Sequence, residues 1–312
     1  MLEWQVSSLG GYLTTPELSQ QMRVKAQTKQ RFRGLVTPEE AFGQNRGDVL
    51  QYTKVGNADN GRVVAETELV PTSNLLFTKS QVQAQEYTLG IDYTWRLDTL
   101  AKLDVYNNII VALTNSMART LDLAAAAQFQ AMDLVYTPTG SINNPGYTLG
   151  SAGTALATAQ RPFLFWDHRN ICDLMGGTYN MPFFDDVGYM AVSSTKSLRS
   201  LKEDGQVERL IAPQNAERAF RGEVGELDGA RFMQETNALN NAIGTGGVLG
   251  EMVYVAQDAV MEIVVLPEEI QAKLGSDYGR DKGLRWVFYG AWAKTWFYST
   301  EGDARGMRVY SL

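Results

Sequence analysis

The 312-residue sequence predicts an α+β fold. Three observations carry that prediction. One helical pattern runs over residues 98–135 without a Pro or a Gly. Strand-like runs stand near both ends of the chain, over 49–97 and from 251 onward. A mixed stretch of short helices and strands lies between them. The length suits one large or two modest domains. The 44% hydrophobic and 20% charged fractions are those of an ordinary globular protein.

The N-terminal segment, to about Asp48, does not read as core. Thr15-Pro16 forms an N-cap and N1 pair, and the helical pattern behind it ends at Gly34. Arg23, Lys25, Lys29, Arg31 and Arg33 crowd this helix, and few apolar residues accompany them. Such a helix is a solvated surface element or an arm lying on another subunit or near a polyanion. Strand signals follow. Val49–Thr53 leads into a turn-rich cluster over Gly56–Gly61, then come Arg62–Val70, a break at Pro71 and the run Phe77–Leu97. Val82, Ala84, Glu86 and Thr88 share one face of that run. Gln81, Gln83, Gln85 and Tyr87 share the other. Neither face is apolar enough for a core, so a long hairpin here needs a partner surface.

In the helical pattern Leu103, Tyr106, Ile110, Leu113, Met117, Leu121, Ala124, Gln128, Ala131 and Val135 recur at spacings of three and four. The helix would be roughly 55 Å long at ~1.5 Å per residue, a spine for a sheet. Its Ala124–Ala127 run lets another element approach closely. Residues 137–160, rich in Gly, Ser, Thr, Asn and Pro, read as an exposed loop. Beyond them the pattern predicts a helix over Arg161–Met175, a strand over Gly188–Ser193 and a helix over Ser194–Lys202. Strands are expected at Arg231–Thr236, Glu251–Val255 and Ala259–Leu266. A short helix is expected from Pro267, then strands over Leu284–Tyr298 and Arg308–Leu312.

Composition excludes several functions. A net charge of −7 argues against a broad DNA-coating surface. One Cys and one His cannot make an intrachain disulfide or a four-ligand zinc site. His168 and Cys172 lie four apart on a helix, and two ligands are not a metal site; His168 is expected at a surface or interface and Cys172 as a small buried apolar residue. The acidic pairs Asp185-Asp186 and Glu39-Glu40 lack the spacing of a calcium loop. No cofactor or metal is therefore expected. The first residues show no basic and apolar leader, and no apolar run approaches the ~20 residues of a membrane span, so synthesis in the cytosol is expected and no membrane partner.

Two motifs touch on catalysis. Gly222, Gly225 and Gly229 are spaced G-x-x-G-x-x-x-G, which fits neither nucleotide-binding pattern. Alternation from Ala230 favours a tight turn feeding a strand. Ser193-Ser194-Thr195-Lys196 is a formal S-x-x-K, the acyl-enzyme motif, but Lys294-Thr295-Trp296 lacks the glycine its partner motif needs. A helix cap at Ser193 or Ser194 explains it better.

Several segments, taken in order, resemble the major capsid proteins of tailed bacteriophages with the HK97-type fold, and more narrowly the N4-type major capsid family. They are Gly47-Asp48-Val49-Leu50, Val64-Ala65-Glu66-Thr67-Glu68 with Pro71-Thr72, and Gln81–Thr94 with Val82, Glu86-Tyr87 and Gly90-Ile91. Gly222-Glu223-Val224-Gly225, followed by Gly229-Ala230-Arg231-Phe232 and Glu235-Thr236-Asn237-Ala238, is the most specific piece; in that family it is a strand pair of the axial domain. Tyr254–Asp258 and Tyr289-Gly290-Ala291-Trp292 also fit.

The resemblance implies an N-terminal arm over 1–48 and an extended β-hairpin loop over 49–90. It implies a peripheral domain with the long spine helix over 91–138, a mixed axial domain over 139–254, and return strands over 255–312, mainly of the peripheral domain. It implies self-assembly through hexamers and pentamers into an icosahedral shell in the virion, with portal, scaffolding and decoration proteins as partners. The shell would enclose double-stranded DNA without sequence-specific binding, and the chain would be made in the bacterial host cytoplasm. The residues agree on one point: arm and hairpin expose backbone that a single molecule cannot cover, and head-to-tail contacts build closed shells. Arg23, Lys25 and Arg31 are expected to pair with acidic positions on a neighbour such as Glu66 or Glu68. Two other readings stand beside this one: an encapsulin-like nanocompartment shell of the same fold, and an acyl-transfer enzyme using Ser193 and Lys196.

Overall fold

The computed structural model describes residues 30–39, 47, 49–56, 58–66, 68–151, 161–186, 188–205, 207, 225–239, 249–274 and 277–312. Three sheets organise them. The first is four-stranded, in the order β1 (Thr37–Glu39), β11 (Val260–Ala272), β12 (Asp281–Lys294) and β4 (Gln85–Thr94). β11, β12 and β4 run antiparallel, and β1 is parallel to β11. β11 continues through Pro267 to Ala272, where the sequence pattern suggested a short helix. Register shifts at Val264/Leu266 and Leu266/Glu269 bracket the proline. A bulge is where a strand tolerates a missing N–H, so pairing with β12 overrides local helix propensity.

The spine lies against this sheet in two pieces. α1 (Trp95–Leu100) starts at Thr94, whose hydroxyl accepts from the Leu97 N–H at 3.3 Å. α2 (Val105–Phe129) starts at Asp104, whose carboxylate accepts from the Asn107 N–H at 3.0 Å. The end of α1 at Ala101 and the new cap at Asp104 break the continuous pattern read over 98–135. α2 is 25 residues, or about 37 Å. Its buried stripe is Val105, Ile109, Leu113, Leu121, Ala125 and Phe129. The expected stripe shares Leu113 and Leu121 with it, but Tyr106 is exposed. By length and composition α2 could cross a membrane; here its apolar face is spent on the sheet.

The segment expected to be wholly an arm is partly core. Phe32 and Leu35 are buried with α2 and the four-stranded sheet. Phe32 packs on Phe129 with ring centres 5.4 Å apart, and the Arg33 N–H donates to Asp122 Oδ1 at 3.1 Å. This turn, Arg33–Leu35, is what approaches the alanine-rich end of α2. The basic helix read over 15–33 lies almost wholly outside the described residues.

The second sheet is seven-stranded, in the order β6 (Pro145–Ser151), β5 (Leu134–Gly140), β13 (Gly306–Ser311), β10 (Gly250–Val255), β7 (Tyr189–Ser193), β9 (Ala230–Gln234) and β8 (Glu226–Leu227). Residues 134–151, read as helix end and loop, are thus a hairpin in this sheet. Parallel pairing of β5 with β13, Leu134 opposite Met307 and Tyr136 opposite Val309, decides the matter. The helical spacing of Ala131 and Val135 was coincidental. The final strand also belongs here, beside β10. α3 (Phe165–Asp173) and α4 (Thr195–Lys202) cover the sheet around a second core that holds Tyr136, Ile171, Met252 and Tyr254. β8 and β9 turn on Asp228 and Gly229, both at positive φ (39° and 85°). That is the geometry Asp-Gly favours in a two-residue hairpin.

The third sheet is a two-stranded hairpin, β2 (Val49–Val55) paired with β3 (Phe77–Gln83), Leu50 opposite Val82 and Lys54 opposite Thr78. Its stalk is not unsupported. Leu50, Tyr52 and Val82 pack on Met261, Ile263, Val265 and Ala293 of the first sheet. The inward face is apolar enough after all, because the aromatic Tyr52 and the alkyl stem of Lys54 extend it.

Candidate functional site

Among the described residues the outer end of the hairpin is the most conspicuous surface. Past Val55 the segment 58–76 carries no regular structure among its described residues. It exposes Val63 (98%), Leu69 (89%) and Val70 (77%), and Leu75, Leu76 and Phe77 join them. Scattered exposed apolar residues are ordinary; six on one projecting element form a patch. One ion pair forms there: Arg62 Nη2 lies 2.6 Å from Glu68 Oε1. The turn that holds Glu66 is exposed. Such a patch holds no chemistry and suits contact with another protein surface.

The predicted arm contacts divide. Arg23 and Lys25 lie outside the described residues. Arg31 is half-buried, with Nη1 4.0 Å from Met233 Sδ of its own chain. Arg33 is committed inside the molecule: Nε donates to Glu262 Oε1 at 2.9 Å, and Nη1 pairs with Glu268. Burial nevertheless raises the Glu262 pKa above the usual carboxylate value.

The S-x-x-K motif finds no use. Ser193 is fully buried, and its hydroxyl donates to the Ser194 carbonyl at 2.9 Å. Ser194 is the first residue of the α4 boundary, yet its hydroxyl accepts from the Glu251 N–H at 3.2 Å instead of capping the helix. A serine without access cannot meet an acyl donor. Glu235, in the most capsid-like stretch, is buried and ties the chain after β9. Its carboxylate accepts the N–H groups of Asn237, Ala238 and Leu239 at 2.5, 2.8 and 3.0 Å.

His168 departs from expectation: it is fully buried rather than at a surface. Nε2 lies 2.7 Å from the Leu227 carbonyl and Nδ1 3.0 Å from the Tyr254 hydroxyl. A carbonyl can only accept, so Nε2 carries the proton and Nδ1 accepts from Tyr254. Burial lowers the His168 pKa. Cys172 is half-buried, 3.9 Å from His168 Nδ1, and burial pushes its thiol up to about 12. It is inert at neutral pH.

Sequence reasoning passed over Arg161. Its guanidinium is buried and bidentate to Asp167, with Nη2 to Oδ1 at 2.6 Å. Nε donates to Thr139 O at 2.9 Å and Nη2 to Gly146 O at 3.0 Å. Asp167 also accepts from Tyr136 at 2.8 Å and from the Leu164 N–H at 2.9 Å. This network fastens the β5–β6 hairpin to α3. Its one sequence signal was an Arg and an Asp flanking a helix start.

A spine helix across one sheet, a second larger sheet and a projecting hairpin define a shell-building class of protein, the HK97-type capsid fold. Solved structures share it at low identity. The chain matches the Ralstonia phage GP4 capsid at TM-score 0.67 and 13% identity, covering 95% of this chain and 94% of that one. It matches the head of Helicobacter pylori bacteriophage KHP40 at TM-score 0.69 and 12% identity, covering 95% of each. It matches the cyanophage Pam1 capsid at TM-score 0.69 and 14% identity, covering 95% and 96%.

Residues 10–273 match the phage capsid family, and the chain belongs to it. It is a phage major capsid protein, a structural subunit that assembles with copies of itself into the virion shell. Among curated proteins none matches.

Proposed function

We propose that the chain is of the N4 type and assembles through hexamers and pentamers into an icosahedral shell around double-stranded DNA, with a purely structural role. Portal, scaffolding and decoration proteins are its further partners, and synthesis is in the host cytoplasm. In this reading the four-stranded sheet with α1 and α2 is the peripheral domain and the seven-stranded sheet the axial domain. The extended loop is the hairpin over 49–83, and residues 85–90, expected within it, belong to β4 of the four-stranded sheet.

The observation that carries the reading is the hairpin end. Six exposed apolar residues on an element that, among the described residues, packs on the body at its base leave an area that a neighbouring copy would cover, and obligate contacts commonly bury more than ~2,000 Å². Leu69→Asp combined with Val70→Asp tests it. The full chain should unfold at the wild-type temperature yet form no particles under the electron microscope. Normal particles from that variant would sink the reading. An encapsulin-like compartment would use the same surfaces, and the contents of purified particles, nucleic acid or cargo protein, separate the two.

A further inference from the structure

The hairpin stalk meets the body through the inward face of β2 and Val82 of β3. Leu50, Tyr52 and Lys54 share the inward face of β2, two residues apart. Lys54 is the outermost. Its side chain is buried, with Nζ 2.5 Å from Glu301 Oε1 and donating to Thr295 O at 2.9 Å. The ammonium lies 4.7 Å from the ring centre of Phe297 and 5.5 Å from that of Trp296. Every one of these partners comes from the turn after β12. Glu301 is itself fixed by the short helix α5 (Tyr298–Glu301): its Oε2 accepts the Phe297 N–H at 3.1 Å, and Gly302 closes the helix at φ 69°. Beyond Lys54 the hairpin parts from the body. A cleft of about 520 Å³ has Gly56, Leu76 and Thr78 on one side and Tyr179, Asn180 and Pro182 on the other.

We propose that Lys54 is the positioning residue of the assembly hairpin. Its buried pair with Glu301 locks β2 to the turn after β12 and so sets the direction in which the hairpin end projects toward a second copy of this chain. The inference rests on the hairpin end being an inter-subunit contact. An isolated two-stranded hairpin is marginal, and here, among the described residues, the apolar side chains of Leu50, Tyr52 and Val82 and the Tyr52 hydroxyl, which donates to Lys294 O at 3.2 Å, hold it beside Lys54. A buried ammonium stays only where its charge is met, so the pair fixes one angle and penalises others. Lys54 does not face the neighbour; it acts through the direction of residues that do.

The test is hydrogen exchange on the unassembled full-length chain, with particle yield measured in parallel. In Lys54→Met, amides of 49–55 and 77–83 should exchange at least about tenfold faster, while α2 and the seven-stranded sheet keep their protection. Particle yield should fall at least about tenfold. Glu301→Gln preserves shape while removing the charge and should give the same pattern; it also serves if Lys54→Met does not fold. Unchanged hairpin exchange in the variants overturns the lock. Faster hairpin exchange with full particle yield overturns the positioning role, as does a loss of protection spread over the whole molecule. If instead the Leu69→Asp, Val70→Asp variant assembles normally, the inter-subunit reading has failed, whatever the Lys54 variants do.

Discussion

At the scale of single residues, burial decides roles that chemistry leaves open. His168 is a possible ligand or base by type, but it is closed in between Leu227 and Tyr254 as a neutral core residue. This gives a pH dependence with a definite sign. The unfolded chain takes up a proton at a His near pH ~6.5, and the native chain withholds it because burial lowers the pKa. Below about pH 6.5 the unfolded state therefore binds more protons, and stability falls as pH falls; above it this contribution is flat. His168→Gln keeps a donor toward Leu227 and cannot titrate. Denaturant midpoints of the unassembled chain between pH 7.5 and pH 5.5 (roughly one unit either side of the ordinary His value) should drop more in the wild type than in this variant. Parallel curves would remove the imidazole from the account. Ser193 teaches the same lesson: its S-x-x-K neighbourhood is legible in the sequence, but its inaccessibility is a property of the packed sheet.

At the scale of elements, local pattern was reliable where tertiary pairing agreed with it. β7, α4 and the β8–β9 turn lie close to where alternation, helical spacing and the glycines before Ala230 placed them. The reading failed where long-range pairing won. The local pattern over β5 reads as helix and loop because its partner β13 is some 170 residues away in sequence. Residues 267–272 read locally as a helix because the bulge that accommodates Pro267 forms beside β12. The spine shows a subtler limit. Its spacing allowed two stripes, and the Asp104 cap together with the sheet below selected the one through Val105 and Ile109. Leu113→Ala, common to both, should cost about 2–5 kcal/mol. Tyr106→Ala, in the expected stripe but 47% exposed, should cost under about 0.5 kcal/mol. Urea unfolding of the unassembled chain measures both, and a large Tyr106 effect would mean the helix face is wrongly assigned.

At the scale of the whole molecule, the expectation that everything before residue 90 needs a neighbour holds only for part of it. Phe32, Leu35, β1 and the hairpin stalk are settled on their own body, and the hairpin end is not. Arm and shell can still be linked by charge. Glu68 is engaged by Arg62, so an incoming arginine would join that pair or meet Glu66. We expect Arg23→Glu with Arg31→Glu to fold normally and to lower particle yield severalfold, with high salt weakening wild-type assembly in the same direction. Unchanged yield in the double variant would discard the arm's charges as an assembly device.

The order of segments along the chain by itself determined the α+β class and the likeness to capsid proteins, because turn chemistry, periodicity and motif order are local quantities. Only the tertiary structure decided that 134–151 and 267–272 were strands, which face of the spine was inner, and that His168, Ser193, Arg161 and Lys54 are buried. Those are outcomes of pairing between distant segments, and a one-dimensional pattern carries no term for the surface that comes to lie opposite.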